Sequence, residues 1–130
     1  MDYWSRPGTD IVYEVEDRED APEGCVPATP AQIEAHKWAV AGMIASPEAI
    51  GKECETRIFA VASRNCQVSM LSERDTFTPD EEAAYVLARD WVAAMKSASR
   101  ALVAARDTTF ADDSHWPACP PEAAALAARF

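Results

Sequence analysis

Apolar positions along this chain change their period twice. Between Ile11 and Glu16 they alternate, with Ile11, Tyr13 and Val15 on one side and Val12, Glu14 and Glu16 on the other. That is the period of a half-exposed strand. Pro7, Gly8, Pro22, Gly24 and Pro27 surround it, which rules out a helix, and the following run Glu16-Asp17-Arg18-Glu19-Asp20 is too charged to pack. Residues 1–28 therefore read as an extended acidic arm carrying one short strand. No second convincing strand is visible, and a lone strand leaves its backbone groups without a ladder. The arm is thus expected to pair with another chain, to pair with a copy of itself, or to lie against the helices.

From Thr29 the period becomes helical. Thr29-Pro30-Ala31-Gln32 is a capping box with proline at the first helical position, and predicts a helix ending near Ala45, just ahead of Ser46-Pro47. Ile33, Val40 and Ile44 share one face of it, with Trp38 on the flank as a core side chain. A longer helix is predicted from Pro47 to about Leu71, with Ile50, Cys54, Ile58, Val61, Cys66 and Val68 as its apolar stripe. A polar loop over 72–77 and a second capping box, Thr78-Pro79-Asp80-Glu81, introduce the longest helix. It runs to about Ala105 on a stripe of Leu87, Trp91, Met95, Ala98 and Leu102. Two long helices joined by a short polar loop read as an antiparallel hairpin. Residues 106–130, interrupted by Pro117, Pro120 and Pro121, read as an irregular tail with a short helix over 122–129. The predicted fold class is mainly α: a long-helix hairpin and a shorter N-terminal helix over 29–105, between the arm and the tail.

Charge narrows the partners. The chain has 130 residues and a net charge of -10, and its basic residues are scattered, so it lacks the clustered cations that neutralise phosphates. Nucleic acid is not expected as a partner. No apolar run approaches the roughly 20 residues of a membrane span, and the N-terminus has no hydrophobic stretch of the signal-peptide kind. Synthesis and folding in the cytoplasm of the producing cell are expected. Cys25, Cys54, Cys66 and Cys119 should then stay reduced, as small apolar packing residues. Cys54 and Cys66 are expected along one helix.

Candidate chemistry is thin. Asp112, Asp113, His115 and Cys119 are the nearest approach to a metal-ligand cluster, but one such group without a second pair reads as a loop stiffened by prolines. Any cysteine could be paired on paper with His36 or His115, so no Cys–His pair stands out. Asp80, Glu81 and Glu82 are explained by their place at a helix N-terminus. There is no phosphate-binding glycine loop and no nucleophile elbow. The expectation is a protein that is no enzyme and takes no cofactor.

Trp38 and Trp91 fall on helical faces and read as core. Trp4 and Trp116 lie in irregular, proline-flanked segments, and each must either fold back onto the helices or insert into a partner. The candidate partner-binding residues are Trp4, Ile11, Tyr13, Val15, Trp116 and Phe130. In this scheme the strand 11–15 adds to a partner sheet, and the aromatic residues anchor it.

Three stretches resemble a known family. Arg57-Ile58-Phe59-Ala60-Val61-Ala62-Ser63 followed by Cys66-Gln67-Val68-Ser69-Met70 is one, and Ala88-Arg89-Asp90-Trp91-Val92-Ala93-Ala94-Met95 is another. The third is Asp112-Asp113-Ser114-His115-Trp116-Pro117-Ala118-Cys119-Pro120. Together they resemble small tail proteins of tailed bacteriophages, of the tail fibre assembly or tail assembly chaperone type. The resemblance implies a non-enzymatic tail protein that binds other tail, fibre or baseplate proteins, with homo-oligomers also open. It implies either a component of the virion tail or a transient assembly chaperone. The arm over 1–28 is additional to the family pattern, and such an arm suits a protein that stays in the particle.

Overall fold

The computed structural model describes all residues from Met1 to Phe130. The chain is mainly helical, with a small antiparallel sheet, and divides into two compact units, Met1–Met43 and Ile44–Phe130. The division falls at the end of the first helix and not at residue 28, and residues 106–130 belong with the helices before them.

The N-terminal unit corrects the reading of a lone strand. β1 (Asp2–Ser5) and β2 (Val12–Val15) form a hairpin, and β3 (Val26–Pro27) pairs with the other side of β1, giving the order β2-β1-β3. The turn between β1 and β2 is Arg6-Pro7-Gly8-Thr9, where Gly8 has φ +78° and Thr9 N–H donates to Arg6 O. Proline followed by a residue with positive φ is the signature of a type II turn, and glycine takes that φ without a Cβ clash. The strand's ladder is therefore supplied from within the chain. α1 (Pro30–Ile44) follows, opened by the expected capping box: Gln32 N–H donates to Thr29 Oγ1, and Thr29 N–H donates to Gln32 Oε1. No residue of α1 is buried. Trp38, placed in a core from the sequence, is 50% exposed, and Ile44 is also exposed.

The C-terminal unit holds the core. The helix expected over 47–71 is two helices, α2 (Pro47–Val61) and α3 (Arg64–Glu73). Ala62 is extended, and Ser63 Oγ accepts from Cys66 N–H, so a serine inside the apolar period acts as a new N-cap. The carbonyl released at Ala62 accepts from the Gln67 side chain at 2.9 Å, so that group of the break keeps a partner. Cys54 and Cys66 are buried as expected but on different helices, and Val68 turns outward. α4 (Pro79–Ala105) has the expected length and capping box, and buries Ala84, Trp91, Met95 and Leu102, whereas Leu87 is exposed. It ends at Arg106, whose backbone is left-handed (φ 48°), with Arg106 N–H donating to Val103 O and Asp107 N–H to Leu102 O. This pair of bonds is a Schellman closure.

What read as an irregular tail is packed. Trp116 is buried and donates its indole N–H to Phe110 O at 2.7 Å, and Trp91 donates to Pro117 O at 3.0 Å. Arg57 bonds Ala111 O and Asp113 and stacks over the Trp116 ring. α5 (Pro121–Ala127) then buries Ala123, Leu126 and Ala127, chiefly against α4.

Candidate partner-binding surface

Of the six residues singled out from the sequence, four come together. Trp4, Tyr13 and Val15 share one face of the sheet, because Trp4 pairs with Tyr13 and Asp2 with Val15, and Ile11 follows the same alternation. Trp116 and Phe130 are elsewhere, in the C-terminal unit. Trp116 has taken the fold-back alternative, so its side chain fills the core of its own chain and is not offered outward. Phe130 is half-buried with its ring 6.0 Å from that of Phe77.

The two faces of the sheet differ. Tyr3, Ser5, Val12 and Glu14 lie on the face towards α1, where His36 Nε2–H donates to Glu14 Oε1 at 2.9 Å and the Tyr3 and His36 rings meet edge to face. Lys37 lies over the Tyr3 ring. The opposite face carries the apolar alternation, and two guanidinium groups lie on it, Arg6 over Tyr13 and Arg18 over Trp4. The Trp4 indole N–H is buried without an acceptor. Leaving such a donor unmade costs roughly 1–3 kcal/mol.

The edge of the sheet is open. Arg6 N–H donates to Ile11 O across the hairpin, and Ala28 N–H donates to Tyr3 O on the other side of β1. In an antiparallel ladder alternate residues turn their main-chain groups to opposite sides. Tyr13 and Val15 therefore bond inward to β1, and Val12 and Glu14 direct N–H and C=O outward. No strand pairs with that edge. Asp10, Glu14, Glu16 and Asp17 border it, and all four are exposed. The unit as a whole carries nine acidic against three basic side chains. Within the unit Ile11, at the start of β2, exposes apolar surface, as do Met1, Val26 on the opposite edge strand β3, and Trp38 and Met43 on α1, Met43 to 73%. The exposure of α1 was not legible from its sequence, in which Ile33, Val40 and Ile44 share one face with Trp38 on the flank and so indicate a buried side.

The groups with candidate chemistry do not converge. His115 Nε2–H donates to Thr109 Oγ1 and lies 3.5 Å from Asp107, Asp113 faces Arg57, and Cys119 donates to Pro120 O. No group of three or more His, Cys, Asp and Glu side chains is arranged to hold a metal ion. Burial raises the thiol pKa of Cys54, Cys66 and Cys119, which keeps them in the unreactive thiol form. The carboxyls of Glu81 and Asp107 are held below their ordinary range, Glu81 by bonds from Thr78 and Asp107 by bonds from Thr109. Both serve helix capping or turn geometry. No helix is long and apolar enough to cross a membrane. Compared with protein-family patterns, curated proteins and solved structures, the chain finds no match in any of the three.

Proposed function

We propose that this chain is a non-enzymatic structural or attachment protein of a bacteriophage tail, binding other tail, fibre or baseplate proteins through its N-terminal unit. The phage assignment rests on the resemblance of the stretches at 57–70, 88–95 and 112–120. The binding role rests on one observation: β2 keeps an unpaired edge, with Ile11 exposed at its start, in a unit without a buried apolar side chain. An open edge is a template for another strand, and soluble proteins ordinarily blunt or cover it. A partner strand would take four main-chain bonds from Val12 and Glu14, while Ile11, Tyr13 and Val15 supply contacts on one face. The virion tail would be its place in the cell cycle of the phage, after synthesis in the host cytoplasm. The acidic border favours a partner strand with basic side chains.

Val12→Pro is the sharp test, because it removes an outward N–H and leaves the inward bonds of Tyr13 and Val15 in place. Mass spectrometry of purified particles is expected to find the wild-type chain at stoichiometric amounts and the folded Val12→Pro chain absent. Wild-type protein present in infected lysate but missing from particles would favour the transient chaperone. Equal incorporation of both chains would sink the strand-addition mechanism.

A further inference from the structure

The C-terminal unit has an uncovered surface of its own. Two cavities of about 320 and 440 Å³ share Ile58, Gln67, Val92 and Lys96, so they are two stretches of one groove between α2–α3 and α4, closed at one end by Cys119 and by Ala123 and Ala127 of α5. Its floor is apolar: Ile58, Met70 and Trp91 lie buried at its base, and the half-buried Val61 and Val92 reach the surface. Along the α4 wall stand Arg89, Lys96 and Arg100, at positions i, i+7 and i+11, and all three are exposed.

These cations are conspicuous in a chain of net charge -10. The ion-paired basic side chains of this unit are Arg57, Arg64, Arg74 and Arg129, and none of the three is among them. Lys96 and Arg100 are an i,i+4 pair of like charge, an arrangement that works against the helix. The acidic side chain lining the groove is Glu55, which pairs with Arg64 at 3.9 Å. Arg89 helps to hold the Glu82 carboxyl below its ordinary range, whereas Lys96 and Arg100 form no ion pair with an acidic side chain.

We propose that this groove docks an acidic amphipathic helix of a partner protein. Charge sets the sign of the partner and spacing sets its extent. From Arg89 to Arg100 the row covers about 16 Å at ~1.5 Å per residue. A single carboxylate, such as that of a fatty acid, would neutralise one cation and leave two. A helix with carboxylates along one flank meets all three, and its apolar face fills the floor through i, i+3, i+4 and i+7 anchors. Backbone chemistry argues against an extended peptide here. The walls are helices whose N–H and C=O groups are bonded internally, so a buried strand would find no ladder. This surface is separate from the strand edge of the N-terminal unit and stands without it.

The test uses the full chain and two fluorescent 18-residue peptides. Both carry leucines at helical spacing, and one flank is glutamate in the first and lysine in the second. Fluorescence anisotropy should show the glutamate peptide binding at least tenfold more tightly, with affinity falling as salt rises. The variant R89E/K96E/R100E changes exposed positions only, and circular dichroism should show its helices intact. It should lose tenfold or more in affinity for the glutamate peptide and prefer the lysine peptide. Lys96→Ala, a milder change, should lose a few-fold. Equal binding of both peptides, binding of neither, or a preference untouched by charge reversal would overturn the proposal. So would displacement of the glutamate peptide by decanoate at equal concentration, which would mark a small-amphiphile site.

Discussion

In the C-terminal unit fourteen apolar residues are buried, from Ala45 to Ala127, whereas in the N-terminal unit the one buried residue is Ser5. Both units have secondary structure with well-formed hydrogen bonds, capped helices and defined turns. They differ in what those elements are packed on. Hydrogen bonds contribute little net stability, about 1 kcal/mol each, because water offered the same bonds to the unfolded chain. Burial of apolar surface is the term that offsets chain entropy. The comparison therefore separates a unit with an apolar core of its own from one that buries no apolar side chain. It also carries the cost of an unsatisfied indole N–H at Trp4.

The largest effect should come from cutting the chain between the units. Residues 44–130 are expected to unfold cooperatively with a midpoint within a few degrees of the full chain. Residues 1–43 alone should show no thermal transition, since chains of about 40 residues without disulfide or metal rarely hold a core. A cooperative melt of the 1–43 fragment, followed by circular dichroism, would erase the distinction. Within the full chain, Met95→Ala should lower unfolding free energy by about 2–5 kcal/mol, because Met95 is 1% exposed in the centre of the core. Ile33→Ala, made in the half-buried side chain of α1, should leave the urea midpoint unchanged within error. Equal losses in the two variants would mean one cooperative structure.

How far the sequence revealed this arrangement differs between the units for the same physical reason. Periods and caps are local, and they located α1, α4 and both capping boxes closely. The break at Ser63 was hidden, because a serine in an apolar period is compatible with a helix until the cap bond to Cys66 is seen. β1 was also within reach: Tyr3 and Trp4 favour strands, and Pro7-Gly8 before Ile11 is a hairpin signal. The interaction-site reading depended on side chains that read alike by pattern. Trp4 and Trp116 both lie among prolines, yet one sits on a sheet and the other in a core. What decided Trp116 was the long-range grip of Arg57 on residues 111–116, which no local pattern encodes. The basic residues read as scattered along the chain, and it is the turn of α4 that brings Arg89, Lys96 and Arg100 to one side of the helix.

The two capping boxes give a matched probe of smaller size. Thr29 with Gln32 and Thr78 with Glu81 make the same reciprocal bonds, one in each unit. Thr78→Ala should cost about 1 kcal/mol in global unfolding, the usual loss for an N-cap. Thr29→Ala should leave global unfolding untouched and speed amide exchange at the start of α1, where stability is local. A global loss from both would again merge the units.

The smallest effect concerns acid. Glu81 lies below its ordinary pKa because Thr78 backbone and side-chain bonds favour its carboxylate, helped by Arg129, and Glu82 is held down by Arg74. A carboxyl depressed in the folded state contributes stability that is present above its unfolded pKa. That stability is lost as pH falls through the ordinary carboxylate value, roughly 4, towards the folded one. The C-terminal unit should therefore weaken progressively below about pH 4. Glu81→Gln separates the cap from the charge, since the amide oxygen can still accept Thr78 N–H but cannot titrate. Stability at neutral pH should fall slightly, by what the carboxylate contributes there, stability at pH 3 should stay near wild type, and the acid limb of the stability curve should become shallower. An unchanged acid limb, measured by urea unfolding at pH 3 to 7, would mean that Glu81 holds the helix start by geometry alone and that acid acts on this unit elsewhere.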